Sequence, residues 1–498
     1  MKIRTSGILL HPTALPGRFG MGDLGPGAYR FAGLLAEMGQ QYWQILPINP
    51  THARHGHSPY YSGSAFAGDP LWISPELLAR EGWIAASDLD DVPDFPEERI
   101  LFKEARAYKD RLMEKAFVKF QNGRQKEAVV QFVRETPWIS DFTLFRVLTR
   151  LYGEPWSGWP VPIRDRDPEA LKAARRRFQT AIHKEVFLQY LFFRQWHALK
   201  NHCNRMGVQL LGDMPIYLPF HSADVWSHPD LFKLTPEKNP SAVSGVPPDY
   251  FSRTGQLWGH PVYDWDALGN NRFEWWIRRM AHNLTLFDRI RIDHFRGWLA
   301  YWEVPAHAET AMNGKWAPAP GDRLLETLSR RFASLPLVAE DLGTITPDVR
   351  ETMAKYDLPG MRLLLFAFGG DFPHGAFLPH NHIRNCVVYT GTHDNNTVRG
   401  WFETEAGDME KKNLLAYMGH TPKPDEIHWK LIRLAMGSVA NTAIIPLQDI
   451  LGLGAEARMN RPAQSKGNWR WRAPESLLPP DAADRFAEMT RHFGRAPG

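Results

Sequence analysis

Eight short apolar runs recur along the chain, at residues 7–10, 42–48, 208–215, 289–294, 337–341, 361–368, 386–390 and 443–447. Most are continuous rather than alternating, the pattern of parallel strands covered on both faces. Helical periodicity fills the intervals. One such segment, 26–38, follows a glycine turn. Another, 346–355, has Thr346 at the N-cap, Pro347 at the first helical position and Gly360 beyond its end. Eight strands alternating with helices predict an α/β chain folded as a (β/α)8 TIM barrel. The spacing is uneven. An insertion at about 66–205 holds helical patterns at 101–120, 125–134, 142–151 and 170–201. A second, at about 217–287, is rich in Pro, Gly and Trp and reads as a loop-rich active-site lid. Both follow strand C-termini, where barrel enzymes carry their functional loops. The expectation is a single catalytic domain over 1–498 with no separate C-terminal β domain.

Three of the runs lead to a carboxylate: Asp293, Glu340 and Asp394. In Arg289-Ile-Arg291-Ile-Asp293, strand alternation places both arginines and the acid on one face. A neighbouring guanidinium favours the ionised acid, which is what a nucleophile requires. Glu340 ends the apolar stretch 336–339, where desolvation would raise its pKa and suit it to donate a proton. Asp394 follows Gly391-Thr392-His393, a polar turn able to present both His393 and Asp394 to a ligand. Taken singly, a strand-end acid is equally an ion pair or a helix cap. Three together point to one shared site, and a nucleophilic carboxylate beside an acidic one is the glycosidase arrangement.

Composition narrows the alternatives. Lys and Arg number 59 against 55 Asp and Glu, so no basic surface calls for nucleic acid. Arg175–Arg177 lies in a helical pattern and is a solvated face. The two cysteines, Cys203 and Cys386, sit in apolar or helical surroundings, as reduced thiols of a cytoplasmic protein would. The apolar start at 7–10 is too short for a signal peptide, and no run is long enough to span a membrane. The 19 Trp, 14 Tyr and 28 Phe serve either core packing or the apolar faces of sugars. Gly20-Met-Gly22-Asp-Leu-Gly25 matches a dinucleotide-binding pattern, but it neither follows a strand directly nor precedes the required acid. It is a helix-entry turn. His52, His55 and His57 lack cysteine partners and helical spacing, so they indicate a polar loop rather than a metal site.

Longer motifs then become recognisable in order: Ser58-Pro-Tyr60, Ser64-Ala-Phe-Ala-Gly68, Gly212-Asp-Met-Pro215, Gly245-Val-Pro-Pro-Asp249-Tyr-Phe251, Gly255-Gln-Leu-Trp-Gly259, Arg291-Ile-Asp-His-Phe-Arg-Gly297, Ala339-Glu-Asp-Leu-Gly343, Gly391-Thr-His-Asp-Asn395 and Arg458-Met-Asn460. With them the chain resembles, nearly end to end, the 4-alpha-glucanotransferases (amylomaltases or disproportionating enzymes, glycoside hydrolase family 77) of the alpha-amylase superfamily. The resemblance implies a retaining transglycosylase that moves 4-alpha-glucan segments between maltooligosaccharides or starch-type glucans through a covalent glycosyl-Asp intermediate. It makes Asp293 the nucleophile, Glu340 the acid/base and Asp394 the carboxylate gripping the distorted sugar. Arg291, His393 and Asp213 would line the donor subsite, and Tyr60 would stack on a sugar ring. Ser58, Asp249, Gln256, Trp258, His294, Asp341, Asp371 and Asn460 would surround the glucan, with residues 244–259 arching over it. No cofactor, metal, nucleic acid or membrane is implied, and monomer or homodimer is left open. An alpha-glucan hydrolase using the same carboxylates and a non-catalytic glucan-binding barrel stand as alternatives. His260, Asp69, Asn396, Arg461 and Lys466 depart from the family pattern, which leaves acceptor preference and the ratio of hydrolysis to transfer open.

Overall fold

The computed structural model describes residues 4–123, 126–248, 252–462, 464 and 466–497. Among them the strands are β1 Thr5–Leu9, β2 Tyr42–Gln44, β3 Gln209–Met214, β4 Ala242–Val246, β5 Gln256–Pro261, β6 Arg289–Ile292, β7 Ala300–Pro305, β8 Lys315–Pro318, β9 Leu337–Ala339, β10 Gly360–Leu363, β11 Cys386–Tyr389 and β12 Thr442–Pro446. Eight of them form one sheet in the order β10-β11-β12-β1-β2-β3-β6-β9, with every pairing parallel. Each corresponds to one of the eight apolar runs. Both faces of the sheet are covered: Ile8, Ile290, Val338, Val387 and Ile444 are fully buried. This is the (β/α)8 barrel, nearly closed.

The strands stop earlier than the apolar runs do. After β2, Ile45 N still donates to Leu211 O at 2.9 Å, but Pro47 has no N–H with which to continue the ladder. After β10 the chain tightens into a 3-10 turn at Leu364–Phe366. Closure between β9 and β10 rests on few contacts. Ala339 N donates to Pro359 O at 2.9 Å. The Asp341 carboxylate then accepts from Met361 N at 2.6 Å and Arg362 Nη1 at 2.9 Å. A side chain thus replaces part of the missing ladder. Gly360 is required beside it, since a Cβ there would lie 2.5 Å from Asp341 Oδ2.

The first insertion is helical, as its periodicity predicts. Its principal helices are Phe102–Asn122, Lys126–Glu135, Ile139–Tyr152, Pro168–Arg177 and Gln179–Arg205. The pattern over 170–201 is two helices that change direction at Phe178. Thr346 does occupy the N-cap of Pro347–Lys355, yet makes no side-chain cap. Its hydroxyl accepts instead from Arg296 Nη1 at 3.1 Å.

The segment expected to be loop-rich contributes β4 and β5. They join β7 and β8, from beyond β6, in an antiparallel sheet of order β5-β4-β7-β8. Its strands are short and interrupted by Gly and Pro, and their partners lie in a separate stretch of chain, so no local pattern announces the sheet. Trp43, Trp72, Trp156, Trp196, Trp226, Trp275, Trp276 and Trp298 are all buried, so much of the tryptophan serves packing. No helix among the described residues is long and apolar enough to cross a membrane.

Candidate active site

Parallel strands deliver their C-terminal ends to one rim of the barrel. Asp213 lies in β3 and Arg291 in β6, and the register makes them direct cross-strand partners. Asp293 follows β6, Glu340 follows β9, and His393 and Asp394 follow β11. Arg291 is 4% exposed and forms the centre of the network. Its Nη1 donates to Asp213 Oδ1 and Oδ2 at 2.8 and 2.9 Å and to Asp293 Oδ1 at 2.9 Å. Tyr60 Oη donates to Asp213 Oδ2 at 2.6 Å. The buried pair therefore ties the Tyr60 loop to the strand bearing Asp293, whose side chain remains open to solvent.

Glu340 has a different environment. Its Oε2 accepts from His294 N at 2.6 Å and its Oε1 from Leu342 N at 3.2 Å. Desolvation pushes its pKa up to about 7; the Arg291 charge opposes the shift and the Asp293 charge adds to it. His294 adopts φ 51°, a left-handed conformation that a non-glycine residue rarely takes. That turn aims its N–H at Glu340, a strained arrangement of the kind concentrated at functional sites. The His294 ring is held neutral by burial, with its pKa near 4 despite the opposing charge of Asp293. It meets Trp258 edge-on at 4.8 Å.

Asp394 Oδ1 accepts from Asn460 Nδ2 at 2.7 Å and lies 3.4 Å from His393 Nε2. Arg458 Nη2 holds the Asp394 carbonyl at 2.8 Å, and Asn460 N donates to His393 O at 3.0 Å. Tyr60 stacks parallel to His393 at 5.2 Å, and Trp469 packs against both rings at 6.1 and 5.9 Å. Gln256 and Trp258 stand together on β5, joined by Trp258 Nε1 to Gln256 Oε1 at 3.3 Å. Ser58 Oγ accepts from Tyr60 N at 3.3 Å and shapes the turn that carries the tyrosine.

Two expected residues, Asp341 and Asp371, fall elsewhere. Asp341 belongs to the β9–β10 seam rather than to the cleft. Asp371 is exposed on the loop after β10, and no contact joins it to the carboxylates among the described residues. Asp249 lies outside the described residues. Arg458 and Trp469 escaped selection as site residues. Arg458 had the signal of the Arg458-Met-Asn460 motif, whereas Trp469 had none. The departures from the family pattern also take their places. His260 packs on Tyr61 at 5.1 Å, and Tyr61 stacks on His55 at 3.5 Å, linking β5 to the loop at 52–61. Asp69 caps its own turn and holds Thr51. Asn396 Nδ2 donates to Glu405 Oε1 at 3.0 Å.

An ion-paired carboxylate, a carboxyl titrating near neutrality and a third acid at one barrel rim can cleave a glycosidic bond by acid and nucleophilic catalysis. The family model described as 4-alpha-glucanotransferase matches residues 10–477. The chain belongs to the 4-alpha-glucanotransferase family. Membership makes it an enzyme that transfers 4-alpha-glucan segments. A 4-alpha-glucanotransferase of Synechocystis sp. is 45% identical over 99% of this chain and 98% of its own length. That of Thermus thermophilus is 44% identical, over 98% of each. The amylomaltase from Streptococcus agalactiae, solved in complex with acarbose, superposes with a TM-score of 0.96 at 36% identity, over 99% of this chain and 100% of that one. Family and fold agree along the whole length.

Proposed function

We propose that Asp293 attacks the anomeric carbon of an alpha-1,4-glucan while Glu340 protonates the departing 4-oxygen. A glycosyl-Asp293 ester results, and Glu340, now a carboxylate, deprotonates the 4-hydroxyl of an incoming glucan or glucose. The ester breaks, the new bond forms with retained configuration, and the proton returns to Glu340. The observation that carries this assignment is the contrast between the two acids: Asp293 ion-paired to Arg291, and Glu340 with a pKa of about 7. A group titrating at that pH gives and takes a proton with equal ease.

Asp394, braced by Asn460, grips the hydroxyls of the distorted sugar, and Arg291, His393 and Asp213 complete the donor subsite. Tyr60, Ser58, Gln256, Trp258 and His294 contact the glucan, and Asp249 with them. Maltooligosaccharides and starch-type glucans are the substrates, a reading supported by acarbose bound to the Streptococcus agalactiae relative. The sheet bearing Gln256 and Trp258 keeps water from the ester, which favours a sugar acceptor. Two buried, unpaired cysteines, Cys203 and Cys386, support a reducing compartment, the cytoplasm.

A maltotriose time course tests the proposal. Transfer yields glucose and a ladder of longer chains at constant reducing-end count. A rising count makes the enzyme a hydrolase. Asp293→Asn should abolish both products, and a variant that turns over like the parent removes Asp293 from the mechanism.

A further inference from the structure

A cavity of about 20 Å³ lies among the ends of β1, β11 and β12, lined by His11, Thr392, His393, Asn395 and Gln448 together with apolar Leu10 and Met459. That is room for a single water in polar surroundings. Two ring nitrogens make the site specific. His11 and His393 are 5% and 7% exposed. The Nδ1 atom of each is buried and has no hydrogen-bond partner among the described residues. A buried polar atom with no partner is strongly disfavoured, and two beside one water-sized polar cavity indicate a shared partner.

The state of His393 matters to the donor subsite. Its Nε2 lies 3.4 Å from Asp394 Oδ1. To donate there, or to a sugar hydroxyl, a neutral ring must carry its proton on Nε2 and leave Nδ1 as an acceptor. Which nitrogen holds the proton is set by the bond the other one makes. We infer that one water in this cavity donates a hydrogen to each Nδ1, locking His393 as the Nε2–H tautomer, and that His11 is a positioning residue for the donor subsite. Burial keeps His11 neutral, with its pKa near 3, so one of its two ring nitrogens is an acceptor. The tautomer follows from the geometry alone; its effect on turnover rests on the transferase assignment of His393.

The experiment separates the two. The full-length protein is labelled with 15N-histidine, and the His393 resonances are assigned by their loss in His393→Gln. The parent should show His393 with Nδ1 unprotonated and Nε2 protonated. His11→Leu should mix the tautomers and lower kcat/KM on maltotriose by about tenfold, the lower end of what losing an orienting partner costs at a metal-bound histidine. His11→Asn keeps a polar group near the Nδ1 position and should restore both signals. A parent His393 protonated on Nδ1 overturns the inference, as does a folded His11→Leu with an unchanged tautomer. If His11→Leu does not fold, the parent spectrum and His11→Asn decide. Mixed tautomers with unchanged kcat/KM uphold the water bridge and remove His393 from the donor subsite.

Discussion

Replacing Glu340 with glutamine should abolish turnover and, at alkaline pH, stabilise the protein. In the fold Glu340 ionises near pH 7, against 4.5 for its ordinary value. Below pH 4.5 the carboxyl is neutral in both folded and unfolded chains, and burial of its charge costs nothing. Between 4.5 and about 7 the unfolded chain ionises first, so the folded state holds the extra proton and stability falls as pH rises. Above about 7 the whole penalty is present, on the order of 3 kcal/mol at about 1.4 kcal/mol per pH unit. Glutamine removes the charge, but its amide offers only one acceptor to the two donors, His294 N and Leu342 N. The lost bond costs about 1 kcal/mol. The variant should therefore match the parent near pH 5 and exceed it by roughly 2 kcal/mol at pH 8.5. Thermal unfolding of both proteins at the two pH values measures the difference. A difference that is flat, or that shrinks as pH rises, refutes the assignment of a desolvated acid. In the parent, the alkaline limb of kcat/KM should fall through about pH 7 and report the same proton.

Asp213→Asn removes one partner of a buried, hydrogen-bonded pair, leaving the Arg291 charge with Asp293 alone. A loss of about 3 kcal/mol is expected in urea unfolding, together with reduced turnover; a loss below about 1 kcal/mol would mean that the cluster is well hydrated. Gly360→Ala forces a methyl against Asp341 Oδ2. Overpacking of about 1–3 kcal/mol should lower the melting temperature and speed hydrogen exchange at the Met361 amide, and unchanged exchange would show that Asp341 does not close the barrel.

The barrel was legible in the chain because strands buried on both faces must be largely apolar, a requirement satisfied locally at 337–339 or 386–389 without reference to any partner. The same locality exposed Asp293, Glu340 and Asp394, since three acids that each follow such a run point to one shared site. The chemistry class and the family followed from those residues and the motifs around them. Pairing across distance was not written locally. Asp213 meets Arg291 through the register of β3 and β6, and Asp341 turns into the β9–β10 seam because that ladder is incomplete. Asp371, placed near the glucan by resemblance, stands on an exposed loop. The second sheet assembles strands from either side of β6, so only the folded chain unites them. Trp469 reaches Tyr60 and His393, and His11 reaches the cavity beside His393, from opposite ends of the sequence. Local burial fixed which residues had to be strands and which acids they would carry. Register and closure decided which groups face each other, and so which acid pairs with Arg291 and which is desolvated into a proton donor.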